Sequence, residues 1–329
     1  MWGVRNNFRF YAVFFAVISF LSYDDADMIF KLFDFLFWIN FAVSLLQYFV
    51  FGYKQDSLGG IFGVEHGANA YTIIFLLIVL SKSLISYMSK QESMLSCFSK
   101  CGAALFIVAL AELKAFFVFF FIVVILCSIL TSFSWRKLII IMLLAIAAIL
   151  ASALLTSLFG FESSLSLQNI WKLATQKNYS AQGTINRLSA IPVLAKTLLT
   201  DFWNRLFGLG LGNCDTSSFK IFNTPFYENY GHLRYSWFSC AILFLETGYL
   251  GIMIFLAFFV FCYLLSNKQL KSGSCKPVYC QLAMVMSVMC VIFTFYNSSL
   301  RTEAAYMVYF VLALPFIDNK NSESANTAI

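Results

Sequence analysis

Apolar runs long enough to cross a lipid bilayer dominate this chain, and they fix its fold class before any motif is considered. They fall at residues 8–22, 28–53, 69–88, 101–111, 115–133, 138–159, 237–265, 278–299 and 303–317. A spanning helix needs about 20 apolar residues, so most of these runs are of spanning length. Composition agrees: of 329 residues 60% are apolar and 12% charged, with a mean hydropathy of +0.80, whereas soluble domains carry roughly a quarter charged residues. The expected fold is an all-α, polytopic integral membrane protein of about nine transmembrane helices with one large extracytoplasmic loop. Four parts are expected: N-terminal transmembrane helices over 1–159, the loop over 160–236, C-terminal transmembrane helices over 237–317, and a cytoplasmic tail over 318–329.

The fourth run is too short to span alone. Glu112 and Lys114 separate it from the fifth, and one helix over 101–133 would bury both charges at roughly 2.5 to 3.5 kcal/mol each. A helical hairpin with Glu112 and Lys114 at its tip is therefore expected.

Orientation follows from Lys and Arg in short loops. Lys90, Lys100, Arg136, Lys137, Lys268, Lys271 and Lys276 lie in one set of loops, against Lys54, Lys114 and Arg301 in the other. The first set is expected to face the cytoplasm, which puts 160–236 outside. The net charge of +6 then reports orientation, and no nucleic-acid partner is expected. The N-terminus comes out external by parity, in conflict with Arg5 and Arg9 there and Asp24, Asp25 and Asp27 at the other end of the first run. A first run that does not span, missing upstream helices, or a cleaved signal peptide would each resolve this.

The loop carries Lys172, Lys177, Arg187, Lys196, Arg205, Lys220 and Arg234 against Glu162, Asp201, Asp215 and Glu228, a balance of 7 − 4 = +3. It is either an ordinary solvated loop, since long loops are exempt from the inside rule, or a place where an anionic ligand is held. Leu188, Ile191, Ala195, Leu198, Phe202 and Leu206 recur at helical spacing and form one apolar stripe. In an unbroken helix Arg187 and Arg205 project on the same side about 27 Å apart, too far to grip one diphosphate. Pro192 lies either in the first turn or at a kink. The helix stops at the glycines of Gly208-Leu209-Gly210-Leu211-Gly212, which lack the spacing and preceding strand of a nucleotide motif.

His66 and His232, the two histidines, both fall on the external side, where each is a candidate base or a structural residue. Glu246 sits about two turns into a span, where an ionisable group marks function or helix pairing. Of nine cysteines only Cys214 lies well inside the loop, so neither a disulfide framework nor a zinc site is expected. Trp171, Tyr179, Trp203, Tyr227, Tyr230 and Tyr235 serve either as an interface belt or as sugar-stacking surfaces.

Four stretches in this order resemble the bacterial O-antigen polymerase and O-antigen ligase superfamily. They are Ile61-Phe62-Gly63-Val64-Glu65-His66-Gly67-Ala68-Asn69-Ala70, the tip Ala111-Glu112-Leu113-Lys114-Ala115, Arg187 followed by the amphipathic stretch into Gly208–Gly212, and Leu245-Glu246-Thr247-Gly248-Tyr249-Leu250-Gly251. The resemblance covers about residues 55–260 and implies a GT-C-like membrane glycosyltransferase at the outer face of the bacterial inner membrane. It implies undecaprenyl-diphosphate-linked oligosaccharide as donor and acceptor, membrane lipids as surroundings, flippase and chain-length regulator proteins as partners, and no metal or cofactor. Arg187, His232 and Glu246 are the implied catalytic residues. Arg234, Arg205, Lys114, His66 and Glu228 are the implied diphosphate- and glycan-binding residues. A polymerase is the first reading and a ligase acting on lipid A core the second. A lipid-linked oligosaccharide flippase, kept open by Lys31, Asp34 and Lys82, and a structural subunit are the readings from other classes.

Overall fold

The computed structural model describes residues 2–65, 67–132, 134–137, 139–140, 184–187, 189–216 and 223–317. The helices are α1 (Trp2–Phe20), α2 (Tyr23–Phe49), α3 (Ala68–Met88), α4 (Met94–Leu110), α5 (Lys114–Leu130), α6 (Ala190–Thr197), α7 (Phe202–Phe207), α8 (Pro225–Tyr230), α9 (Ser239–Ser272), α10 (Pro277–Tyr296) and α11 (Ala305–Ala313). Short 3-10 turns connect several of them, and no strand occurs among the described residues. Of these helices 4, namely α2, α3, α9 and α10, are long and apolar enough to cross a membrane. The run at 138–159 apart from 139–140, residues 160–183 of the loop, and the tail from 318 lie outside the described residues.

The chain divides into two compact units, one from residues within 1–9, 142–260 and 290–302, the other from 10–141, 261–289 and 303–329. In the second, α3 is central, packed by α2, α4, α5 and α11. Its most apolar stretch is 78% buried against 22% for α2, because α2 turns Leu32, Phe35, Trp38 and Leu46 outward. An apolar outer face of this kind suits lipid rather than water.

The opposite face of α2 carries Asn40, Ser44 and Gln47, all buried. Their spacing of four and three places them on one stripe. Gln47 pairs with both backbone groups of Gly60, at 2.8 Å each, and Asn40 Oδ1 accepts the Ile61 N–H at 3.0 Å. Gly60 has φ +61, and a Cβ there would stand 2.1 Å from Asn40 Oδ1. Only glycine lets the 59–63 loop dock so closely.

Asp24 and Asp25 start α2 rather than merely flank α1. Ser22 Oγ accepts the Asp25 N–H at 3.3 Å while the Asp25 carboxylate accepts the Ser22 N–H at 2.8 Å, a reciprocal capping box. The hairpin forms as expected, with α4 and α5 joined at Ala111-Glu112-Leu113, where Glu112 takes φ +54 and accepts from Gln55 at 3.1 Å. Lys276 meets Asp27 at 2.7 Å and Arg136 donates to the Tyr87 carbonyl at one end of this unit, while Gln55 meets Glu112 and Tyr71 meets Glu303 at the other. Of the in-span charges, Asp34 and Lys82 are paired: Asp34 binds Lys82 at 3.3 Å and Lys100 at 2.7 Å, and Lys100 also reaches Glu92 at 3.1 Å.

In the first unit the single helix expected over 188–206 is instead two helices, α6 and α7, with a break at 198–201. Asp201 causes it by capping α7, its carboxylate accepting the N–H groups of Trp203 at 3.0 Å and Asn204 at 3.3 Å. Pro192 sits in the first turn of α6, where it sacrifices no helical hydrogen bond. A core of Ile185, Leu194, Leu199, Cys214, Tyr235, Phe238 and the first two turns of α9 holds these segments together. The cysteines form no disulfide framework among the described residues, apart from a local disulfide between Cys275 and Cys280 at the start of α10.

Candidate functional site

Helix α9 is broken at Gly248, which takes φ +65 and ψ −163. In an unbroken helix the carbonyls of Leu245 and Glu246 would receive the amides four residues on. Here they receive Leu209 N–H at 2.8 Å and Gly210 N–H at 3.0 Å. The glycine loop thus takes the place of the missing helical turn and satisfies backbone groups that would otherwise be orphaned inside an apolar core. Gly208 lies against Glu246 and Thr247, and Gly248 against Leu206, so neither position accommodates a Cβ.

Beneath this junction lies a buried ionic cluster. The Glu246 side chain is fully enclosed, 0% exposed, and its Oε2 stands 3.8 Å from Arg301 Nη2. Asn7 Nδ2 donates to the same oxygen at 3.3 Å. Arg301 Nη2 pairs with Asp215 Oδ2 at 3.1 Å, which Asn6 Nδ2 supports at 3.2 Å. Arg9 donates to the Arg301 carbonyl at 3.0 Å. A buried carboxylate is tolerable only when paired and hydrogen-bonded in this way. Gly3 permits the approach of α1, since a Cβ there would stand 2.2 Å from Gly212 N.

Next to the cluster, Tyr235 Oη donates to the Cys214 carbonyl at 2.7 Å in a buried contact. Burial pushes the Cys214 thiol up, with the Glu246 and Asp215 carboxylates adding to it. Burial likewise raises the Tyr235 phenol. Both groups therefore remain protonated and inert.

The chain neighbours of Tyr235, Arg234 and Ser236, line a cavity of about 400 Å³ together with Asn223, Tyr227, Glu228, Gly231, His232 and Trp237. Arg234 adopts a left-handed conformation, φ +58, and its guanidinium lies 5.1 Å from the Trp237 ring. Histidine, arginine and glutamate around one cavity, with Tyr227 and Trp237 rings beside them, provide a base, a cation, an acceptor and apolar faces. This is chemistry suited to a hydroxylated, partly anionic ligand.

Three of the sequence-derived candidates, His232, Arg234 and Glu228, meet at this cavity. Arg187 is exposed and rests over Tyr296 at 4.5 Å and Phe238 at 5.9 Å. Arg205 Nε donates to the carbonyls of Leu199 at 2.7 Å and Ala195 at 3.1 Å, closing the corner between α6 and α7. Glu246 lies in the ionic cluster, Lys114 opens α5 in the second unit, and His66, Trp171 and Tyr179 lie outside the described residues. The cluster around Glu246 was missed. Arg301, Asp215, Asn7 and Arg9 are 31 to 239 residues away from Glu246, and the signal available was a lone arginine placed at the end of an otherwise apolar pair of runs. Among the described residues no group of His, Cys, Asp and Glu is arranged to hold a metal. No protein-family model, no curated protein and no solved structure matches this chain.

Proposed function

We propose that this chain is a multi-pass bacterial inner-membrane glycosyltransferase that polymerises undecaprenyl-diphosphate-linked oligosaccharide units at the outer face of the membrane. The observation that carries the reading is the convergence of His232, Arg234 and Glu228 on one cavity at the loop-side end of a broken apolar helix. Ligand sites commonly have volumes of about 300 to 1,000 Å³, and aromatic faces beside polar edges match a sugar ring.

In this reaction the acceptor hydroxyl oxygen attacks the anomeric carbon of the donor. The bond from that carbon to the diphosphate oxygen breaks, and its electron pair leaves with the diphosphate. The hydroxyl proton passes to an imidazole nitrogen of His232. Arg234, with Arg187 behind it, meets the charge developing on the leaving oxygen through charge-assisted hydrogen bonds. Glu228 orients the acceptor hydroxyls. Arg205 is spent on backbone carbonyls and Glu246 on Arg301, so both act by holding the site rather than by touching substrate.

Complementation of polymerase-null and ligase-null strains tests the reading by the surface-glycan ladder. Long ladders restored only in the polymerase-null strain, and lost with His232→Ala or Arg234→Gln, support it. Capped chains restored only in the ligase-null strain select the ligase, and no ladder in either despite membrane insertion overturns both.

A further inference from the structure

The ionic cluster makes no contact with the cavity of its own, yet a short line of bonds joins them. Arg301 Nη2 binds Asp215 at 3.1 Å; the preceding residue, Cys214, offers its carbonyl to Tyr235 Oη at 2.7 Å; and the two chain neighbours of the buried Tyr235, Arg234 and Ser236, line the cavity. We infer that Arg301 is a positioning residue, its guanidinium held between Asp215 and Glu246 so that the Gly208–Asp215 loop, and through Tyr235 the Arg234 side of the cavity, take one fixed place. The backbone of Arg301 is itself held by Arg9 at 3.0 Å, and Glu246 is tied to the loop through its carbonyl, which accepts the Gly210 N–H at 3.0 Å. An apolar trio would stabilise such a core as well or better; what charges add is a unique register, since Arg301 must meet both Asp215 and Glu246 at once. That the positioned cavity handles glycan rests on the reading above, whereas the positioning does not.

Cys214, fully buried at 0% exposure, is a built-in reporter of the loop. The full chain in proteoliposomes is treated with N-ethylmaleimide near neutral pH, and each cysteine is read by mass spectrometry. Cys127, also 0% exposed and in the second unit, reports global folding. Arg301→Gln is expected to raise Cys214 labelling by at least about tenfold, the size of effect expected from local opening, with Cys127 still protected. Arg301→Lys is expected to restore most of the protection. Cys214 as protected in Arg301→Gln as in the parent overturns the inference. Should Arg301→Gln expose Cys127 too, Asp215→Asn decides: selective exposure of Cys214 upholds the inference, and anything else overturns it. If the thiol pattern holds but the parent makes no ladder, the glycan reading fails and the positioning role stands.

Discussion

Gly208 and Gly248 interlock through their backbones. A Cβ on Gly208 would stand 2.3 Å from the carbonyl carbon of Glu246, and one on Gly248 would stand 2.3 Å from the carbonyl oxygen of Leu206. Both have positive φ, +76 and +65, so each glycine is required twice, for its conformation and for the space it leaves. The junction converts a break in an apolar helix into a docking point for the loop that carries Asp215.

Gly208→Ala and Gly248→Ala are therefore expected to cost about 2 to 5 kcal/mol each, from backbone strain together with overpacking. Gly102→Ala, at an exposed α4 position with nothing within 4 Å of the added Cβ, is expected to be neutral. Thermal unfolding of the detergent-solubilised protein separates the three; equal behaviour would contradict the interlock.

Arg234 holds a left-handed backbone that glycine adopts without cost, and a non-glycine residue there costs of order 1 kcal/mol. Arg234→Gly is expected to leave thermal stability unchanged or slightly raised while abolishing the glycan ladder. Arg234→Ala, which keeps the strain, is expected to lose both some stability and the ladder. A ladder of normal length from either variant would remove Arg234 from the reaction.

Arg205 closes a corner rather than contacting ligand. Arg205→Ala leaves the Leu199 and Ala195 carbonyls without their charged donor and is expected to cost about 1 to 3 kcal/mol. Once expression is matched, its ladder is expected to keep the parent length. Shortened chains at equal protein level would return Arg205 to the diphosphate.

Cys214 and Tyr235 are both held protonated by burial, their pKa values raised on folding. A group of this kind stabilises the fold below its unfolded value and loses that contribution as pH rises, here above about 8.5 for the thiol and about 10 for the phenol. Stability is expected to be flat through neutrality and to fall on the alkaline side. Tyr235→Phe is expected to cost about 1 kcal/mol at neutral pH by orphaning the Cys214 carbonyl, yet to show a shallower alkaline decline. Unfolding temperatures across the alkaline range for parent and variant check both parts.

How much was legible in the sequence depended on range. The hairpin at Glu112 and Lys114 could be read because two charges cannot be buried in an apolar run, and continuous apolar runs located α2, α3, α9 and α10 to within a few residues at most ends. The α6–α7 break was missed although Asp201 carried the signal of a helix cap. The Gly248 break was hidden because only the incoming Leu209 and Gly210 amides make it affordable. The meeting of His232, Arg234 and Glu228 followed from their closeness in sequence. Arg301 with Asp215 and Glu246 did not, since no local pattern marks a partner 55 or more residues away.

The most direct test of the central claim is a reconstituted reaction. Purified protein in liposomes is supplied with undecaprenyl-diphosphate-linked oligosaccharide, and chain length and released undecaprenyl diphosphate are measured together. Stepwise longer glycans with one diphosphate lipid released per bond formed, both lost in His232→Ala and Arg234→Gly, are the predicted result. A folded protein that binds the lipid-linked oligosaccharide or moves it across the bilayer without lengthening it would contradict the account.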